Sequence, residues 1–331
     1  MSTAANCPSS HGPGKRKRRK TNVSLNWAAL HFKASGVNQA FILGAGLGNR
    51  LRPLTGRLPK PLVPLFHQPL TAWTMEACAR LGISRFAINT HHLPEAWDGF
   101  GEGKDVTLFH EPVLLETGGG LKNIERWIGN EPVLVHNGDI FSTMPLERLV
   151  AAHEASGLPV TLALRTHGTA SHIALDPDGT RVIDIRETLG VAPGTHTFSG
   201  VYCVNPEFLE MIPAGEKISV IPAFLELAKA GKLGAIVLDE GVWLDLGDRE
   251  SYLKAHRELN LADAIHPEAI IGTGAVVERS VVGPGAIIGE GAIVKDSVVW
   301  PGSEVSPGAS LESCIVFSNV PADGSHKAGD L

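Results

Sequence analysis

One stretch of this 331-residue chain gathers the residue types that handle phosphate. It reads Leu43-Gly44-Ala45-Gly46-Leu47-Gly48-Asn49-Arg50-Leu51-Arg52-Pro53-Leu54-Thr55 and continues to Pro59-Lys60-Pro61. It follows directly on the apolar run Ala40-Phe41-Ile42-Leu43. A glycine-rich turn after a buried strand lets backbone N–H groups approach phosphate oxygens with no Cβ in the way. Arg50 offers a bidentate fork to an anion and Lys60 a point charge. The glycines alone also fit a structural turn or a dinucleotide fingerprint. Against the fingerprint, Asn49 stands where its third glycine belongs, and Pro53 interrupts the helix that should follow. No Gly-Lys-Ser/Thr follows, so this is not a Walker loop.

Two aspartates lie far apart in the chain, in Asn137-Gly138-Asp139 and in Trp243-Leu244-Asp245-Leu246-Gly247. A single carboxylate at a strand end is often only a helix cap. Two from distant positions can share a hard cation, and Mg²⁺ favours a few carboxylates together with phosphate oxygens and water. The segment Glu116-Thr117-Gly118-Gly119-Gly120 reads by itself as a threonine N-cap and a flexible helix start. His91-His92 lacks further zinc ligands at suitable spacing, which leaves a polar loop or a substrate-side contact.

The pattern Gly46-x-Gly48-x-Arg50-x-x-Pro53-Leu54-Thr55-x-x-x-Pro59-Lys60-Pro61 resembles the signature of sugar-1-phosphate nucleotidyltransferases. The resemblance implies a Rossmann-like α/β domain that joins a nucleoside triphosphate to a sugar 1-phosphate with Mg²⁺. By that resemblance, Leu43, Gly44, Ala45, Gly46, Gly48 and Arg50 hold the nucleotide, and Lys60 contacts the reacting phosphates. The backbone of Thr117, Gly118 and Gly119 faces the nucleobase, and Asp139 and Asp245 bind the metal. Asn137, Glu187 and Gly200 touch the sugar, although Arg186-Glu187-Thr188 lacks the lysine that many members carry after the glutamate. Arg50, Lys60 and Asp139 are the expected catalytic residues. The order of segments resembles mannose-1-phosphate guanylyltransferases. The Glu116–Gly120 and Phe198–Gly200 turns resemble N-acetylmuramate-1-phosphate uridylyltransferases, which leaves UTP and GTP both open. A catalytically silent subunit that senses nucleotide-sugar would share the fold, but the intact Arg50, Lys60, Asp139 and Asp245 argue against it.

Strands alternating with helices position these residues. Strands are expected at 85–89, 106–109 and 133–136, and helices at 71–81, 120–127 and 145–153, giving an α/β domain with a mixed, mainly parallel sheet. Strands at 159–165 and 198–204 and helices at 221–230 and 249–261 continue the domain, which spans residues 37–262.

From Ile271 the chain repeats. Ile271, Ile288 and Val305 stand 17 residues apart, as do Val277, Val294 and Leu311, and Val282, Val299 and Val316. Three short sides per turn predict a triangular parallel β-solenoid over 263–320, followed by a flexible tail at 321–331. This resembles the left-handed β-helix of hexapeptide-repeat proteins. Trp300 and Phe317 fall in one column and predict an aromatic strip at the surface, at an interface with another subunit or with the catalytic domain. A homo-oligomer formed through the solenoid is the expected assembly.

Composition narrows the remaining classes. Hydrophobic residues make up 43% and charged residues 19%, a globular balance. No run approaches the roughly 18 apolar residues of a membrane span. The cysteines Cys7, Cys78, Cys203 and Cys314 are scattered, which fits a reducing cytoplasm. The net charge is −6, yet residues 15–20 alone carry six positive charges, so an acidic body follows a basic arm expected to be a disordered tail over 1–36. The acidic body argues against nucleic acid as a partner. A solenoid acyltransferase is disfavoured, because no histidine lies between His266 and His326.

Overall fold

The computed structural model describes residues 36–168 and 170–331, so the basic arm lies outside the described residues. The first strand, β1 (Gln39–Leu43), is followed by the glycine- and proline-rich loop, helix α1 (Leu70–Ala79), β2 (Arg85–Thr90) and β3 (Asp105–His110). Then come α2 (Glu116–Asn123), β4 (Val133–Asn137), the short β5 (Ile140–Ser142), α3 (Leu146–Ser156) and β6 (Val160–Arg165). The domain finishes with β7 (Thr197–Val204), α4 (Ile221–Lys229), β8 (Leu233–Val237), the short β9 (Trp243–Asp245) and α5 (Arg249–Glu258).

Seven strands form one sheet in the order β8-β6-β7-β4-β1-β2-β3. All neighbours are parallel except β7, which runs antiparallel to both β4 and β6. From Ala40 onward β1 is apolar without alternation because both of its faces are covered. Phe41 packs into one core with α2 and α4, while Ala40 and Ile42 pack into the other with α1 and α3. The expected helix at 120–127 is instead α2, which starts at Glu116, and a separate turn, Glu125–Ile128. The glycines of the Glu116–Gly120 motif therefore lie within the first turns of α2.

The solenoid has three faces of parallel rungs. One stacks Ile270–Ile271, Ile287–Ile288 and Glu304–Val305, and another stacks Val281–Val282, Val298–Val299 and Ile315–Val316. The remaining face stacks Val276–Glu278, Ile293–Lys295, Ser310–Glu312 and Ser325–Lys327. The aliphatic columns read from the sequence fill the interior, with Ile288, Val294, Val299, Val305, Leu311 and Val316 essentially inaccessible. Residues 321–331 are not a loose tail. Ala322 bridges to Val305, Ser325–Lys327 pairs with Ser310–Glu312, and Asp330 bridges to Ile315. The last coil is shorter than the 17-residue period, so its columns fall out of step and escape a fixed-period reading.

One solenoid face lies against the catalytic domain. Val298, Trp300 and Ile315 pack with Leu51, Leu54, Val63, Tyr252 and Leu253, and Phe317 flanks them. Trp300 is only 3% exposed, so the aromatic strip expected at the surface is an intramolecular contact. Helix α5 lies along this side face through Tyr252 and Leu253. Each buried aliphatic side chain here contributes about 1.5–3 kcal/mol, which makes the solenoid a brace for the loop that contains Leu51 and Leu54.

Candidate functional site

The C-terminal ends of the adjacent strands β2, β1 and β4 meet at Asn89, Leu43 and Asn137, which pair in register. Sites in parallel sheets form at such ends, where chains diverge into loops. A cavity of about 530 Å³ opens there, within the range of small-molecule sites.

The loop from Gly44 wraps one wall of this cavity through three short 3-10 turns, Asn49–Leu51, Leu54–Gly56 and Lys60–Leu62. Gly48 sits at φ 63°, and a Cβ there would meet the Thr55 methyl at 2.7 Å. Thr55 in turn donates its hydroxyl to the Gly48 carbonyl at 2.9 Å. The spacing Gly48 to Thr55 thus closes the loop on itself, while Leu51 and Leu54 anchor it to the solenoid. Arg50 remains 68% exposed at the cavity rim.

Lys60 lies deeper, only 7% exposed. Its ammonium donates to Asp139 Oδ2 at 2.8 Å and stands 3.6 Å from Asp245 Oδ1. Pairing of β9 with β5 sets Asp245 opposite Ile140, and Leu246 N–H donates to the Asp139 carbonyl at 3.2 Å. Two aspartates remote in sequence therefore share one cation. Gly138 N–H donates to the Leu43 carbonyl at 3.0 Å, which joins the turn carrying Asp139 to the start of the phosphate loop. Gly247 leaves room for the exposed Arg50 guanidinium, whose Nη2 lies 2.6 Å from where a Cβ would stand.

The pair suits a divalent cation. Asp245 Oδ1 is buried and has no hydrogen-bond partner among the described residues. A buried carboxylate oxygen that accepts no hydrogen bond and meets its ion-pair partner only at 3.6 Å is poorly satisfied, and a hard cation held by the two aspartates would satisfy it. No group of three or more His, Cys, Asp or Glu side chains converges anywhere among the described residues. The metal would therefore draw its other ligands from substrate phosphate and water.

Of the expected nucleotide contacts, Leu43, Ala45, Gly46, Gly48, Arg50 and Thr117 line the cavity, as do Lys60, Asn137 and Asp139. Gly44 is packed behind the wall against Asn89. Gly118 and Gly119 are also buried, and both their amides donate to the Ile218 carbonyl at 2.9 Å. Those amides are not free to face a nucleobase, which differs from the sequence expectation. Side chains at this wall come from Leu114, Glu116, Thr117 and Ser219 instead. Thr117 does not cap its own helix. Its hydroxyl oxygen accepts the Val220 amide at 3.0 Å, at the start of α4. Gly200, at φ 78°, sits against Asn137, where a Cβ would meet Nδ2 at 2.7 Å. Glu187 is exposed in a turn after the hairpin of Ile173–Leu175 and Val182–Ile185 and does not line the cavity. His91 and His92 engage the carbonyls of Glu111 and Thr55, the polar-loop outcome.

Sequence reading missed Asn89 and Glu111. Asn89 Oδ1 accepts the Gly44 amide at 2.7 Å, and its Nδ2 donates to Glu111 Oε1 at 2.8 Å. Glu111 Oε2 accepts the Leu115 amide at 2.9 Å. This buried network fixes the phosphate loop relative to the wall that carries Thr117. Its only trace in sequence is one polar residue ending an apolar strand.

His136, buried in β4 beside the site, donates Nδ1–H to the Asn137 carbonyl, and burial pushes its pKa down to about 4. It is neutral at physiological pH.

Residues 39–261 match the family model for nucleotidyl transferases, and residues 252–329 match that for a GlmU-like C-terminal hexapeptide domain, which fits a left-handed β-helix. The chain is 29% identical over 256 residues to a mannose-1-phosphate guanylyltransferase of Mycobacterium tuberculosis, covering 72% of this chain and 71% of that protein. It is 30% identical over 227 residues to an N-acetylmuramate alpha-1-phosphate uridylyltransferase of Neisseria meningitidis, covering 63% of this chain and 93% of that protein. A UDP-glucose pyrophosphorylase crystallised with UDP-glucose superposes with a TM-score of 0.58 at 18% identity, over 66% of this chain and 97% of that one, a likeness of fold.

Proposed function

Because the chain belongs to the nucleotidyl transferase family, we propose that it transfers a nucleoside monophosphate from a nucleoside triphosphate to a sugar 1-phosphate, releasing pyrophosphate. One observation carries this reading: Asp139 and Asp245 converge on Lys60 beside the Gly44–Arg50 loop. The relatives named above are a guanylyltransferase and a uridylyltransferase, so GTP and UTP are the triphosphates proposed here. Asn137, backed by Gly200, is proposed to meet the sugar.

No strong general base is needed, since a phosphate monoester with its second pKa near ~6 is largely a dianion at pH 7. The barrier is the approach of two anions. Mg²⁺ held by Asp139 and Asp245 would supply charge neutralisation at the α-phosphate. Arg50 at the rim and Lys60 in the floor add fixed positive charge to the same cavity. The sugar-phosphate oxygen forms a bond to the α-phosphorus, the bond to the β-phosphate bridging oxygen breaks, and pyrophosphate departs with that electron pair. Positioning and charge do the work. A silent nucleotide-sugar sensor would not need this complete set of charged groups.

We place the activity in the cytoplasm. In support, no helix among the described residues is long and apolar enough to cross a membrane, and the three described cysteines are free thiols. The two remaining solenoid faces expose Ile270, Ile287, Val276 and Ile293, and we propose that they pair copies of the chain. Sedimentation that gives only monomer would reject this pairing. The activity is tested by pyrophosphate release across a panel of triphosphates and sugar 1-phosphates. Equal release with water as the only acceptor would refute it.

A further inference from the structure

Helix α5 touches both segments that carry the reaction centre and the solenoid as well. Its N-cap, Asp248, lies three residues after Asp245 and accepts the Ser251 amide at 2.9 Å. Four residues into the helix, Tyr252 is 1% exposed. Its hydroxyl donates to the Pro64 carbonyl at 2.6 Å, four residues beyond Lys60. The same oxygen accepts the Trp300 Nε1–H of the solenoid at 2.9 Å. One turn further, His256 Nε2 accepts the Phe66 amide at 3.0 Å and Nδ1–H donates to the Tyr252 carbonyl at 2.9 Å. Helix α5 therefore grips the Pro64–Pro69 hairpin at two points. Tyr252, Lys60 and Leu246 line one void of about 10 Å³, so little separates this grip from the charged centre.

The direction of the hydroxyl proton is decided by Trp300. An indole N–H only donates, so it occupies a hydroxyl lone pair and leaves the Tyr252 proton free to point at Pro64. At the start of α5, Arg249 is held by Asp330 at 2.6 Å and donates to the carbonyls of Ser313 and Gly329 at 2.6 and 3.2 Å. The solenoid thus fixes the helix at two places, and the helix fixes the Lys60 segment and the Asp245 turn relative to each other.

We propose that Tyr252, oriented by Trp300 of the solenoid, is a positioning residue that sets the Lys60 segment against the Asp245 turn. The proposal rests on the reading that Lys60, Asp139 and Asp245 form the reaction centre. Tyr252→Phe keeps the ring but leaves the Pro64 carbonyl and the Trp300 N–H unpaired. At a temperature where circular dichroism shows the variant fully folded, kcat is expected to fall about tenfold or more, with the KM for sugar 1-phosphate held. The Mg²⁺ concentration for half-maximal activity is expected to rise. Trp300→Phe frees the hydroxyl without deleting it, so its loss in kcat is smaller, and the double variant is no worse than Tyr252→Phe alone. Mn²⁺ binding read by electron paramagnetic resonance, without sugar, is expected to weaken about tenfold in Tyr252→Phe. Wild-type kcat and metal requirement in a folded Tyr252→Phe, or additive losses in the double variant, overturn the proposal. If the wild-type chain transfers nothing, the proposed function fails, and Mn²⁺ affinity decides the positioning by itself: an unchanged value in Tyr252→Phe overturns it.

Discussion

The side chain of Asn89 accepts the backbone N–H of Gly44 at 2.7 Å, so the first residue of the phosphate loop is held by a neighbouring strand and not by the loop itself. The same amide then binds Glu111, which holds Leu115 at the opposite wall. Gly44, Asn89 and Glu111 are buried, and a buried polar group stripped of its partner costs about 1–3 kcal/mol. Asn89→Ala strands both the Gly44 amide and the Glu111 carboxylate. Urea unfolding should show a loss of roughly 2–4 kcal/mol, and the KM for triphosphate should rise more than that for sugar 1-phosphate. Equal shifts in both KM values would place Asn89 outside the nucleotide side of the cavity.

Asp245→Asn preserves shape but removes the charge that Oδ1, buried without a hydrogen bond, presents. The expected result is a higher Mg²⁺ requirement and a fall in kcat of about 10²-fold or more. A magnesium titration with the wild-type midpoint would remove Asp245 from the metal site.

Arg50 and Lys60 differ in surroundings, the first exposed at the cavity rim and the second buried in its floor. Each alanine variant should lose about 10²-fold in turnover, because each removes charge from the same transition state. Only Lys60→Ala should alter stability, by about 1–3 kcal/mol, since it leaves two partly buried carboxylates facing each other. Millimolar Mg²⁺ should restore much of that loss by replacing the missing charge. Melting curves with and without the ion check this. A Lys60→Ala variant with the wild-type melting temperature in the absence of metal would contradict it.

His136 and His256 are each pushed down to about 4 by burial, against about 6.5 for an exposed histidine. Between those values the unfolded chain binds more protons than the folded one, so stability rises with pH across the window. It is complete above about pH 6.5 and declines as pH falls toward 4, by roughly 2–3 kcal/mol per histidine. Urea unfolding at pH 7 and pH 5 measures this directly. A flat profile over that range would mean that neither ring is kept neutral by the fold.

Ending the chain near Ala264 tests the brace. In the folded protein it would strip cover from Leu51, Leu54, Val63 and Tyr252. The expected outcome is a lower melting temperature and loss of most transfer, not merely a change in mass. Full kcat in a folded truncation would show that the loop holds its shape unaided.

The local pattern of the chain was enough to single out the glycine-rich loop, the two aspartates that meet at Lys60 and the solenoid. Each of these depends on short-range chemistry. Glycine and proline spacing restricts the backbone whatever surrounds it, and a 17-residue aliphatic period can bury its columns only by stacking coil on coil. The limits of such patterns are equally local: residues 321–331 looked like a tail because the final coil shortens and loses the period.

Tertiary structure decided which residues meet. Asn89 and Glu111 join only because β2 and β3 run parallel in one register, a relation that no local spacing records. Gly118 and Gly119 look like base-facing glycines until the packing of α2 turns their amides onto Ile218. Trp300 looks like a surface aromatic until the solenoid face docks on α5 and gives its N–H a buried acceptor. Periodicity reveals which face of an element is apolar, but what covers that face is settled by contacts between distant segments, where burial and hydrogen-bond satisfaction must be met together.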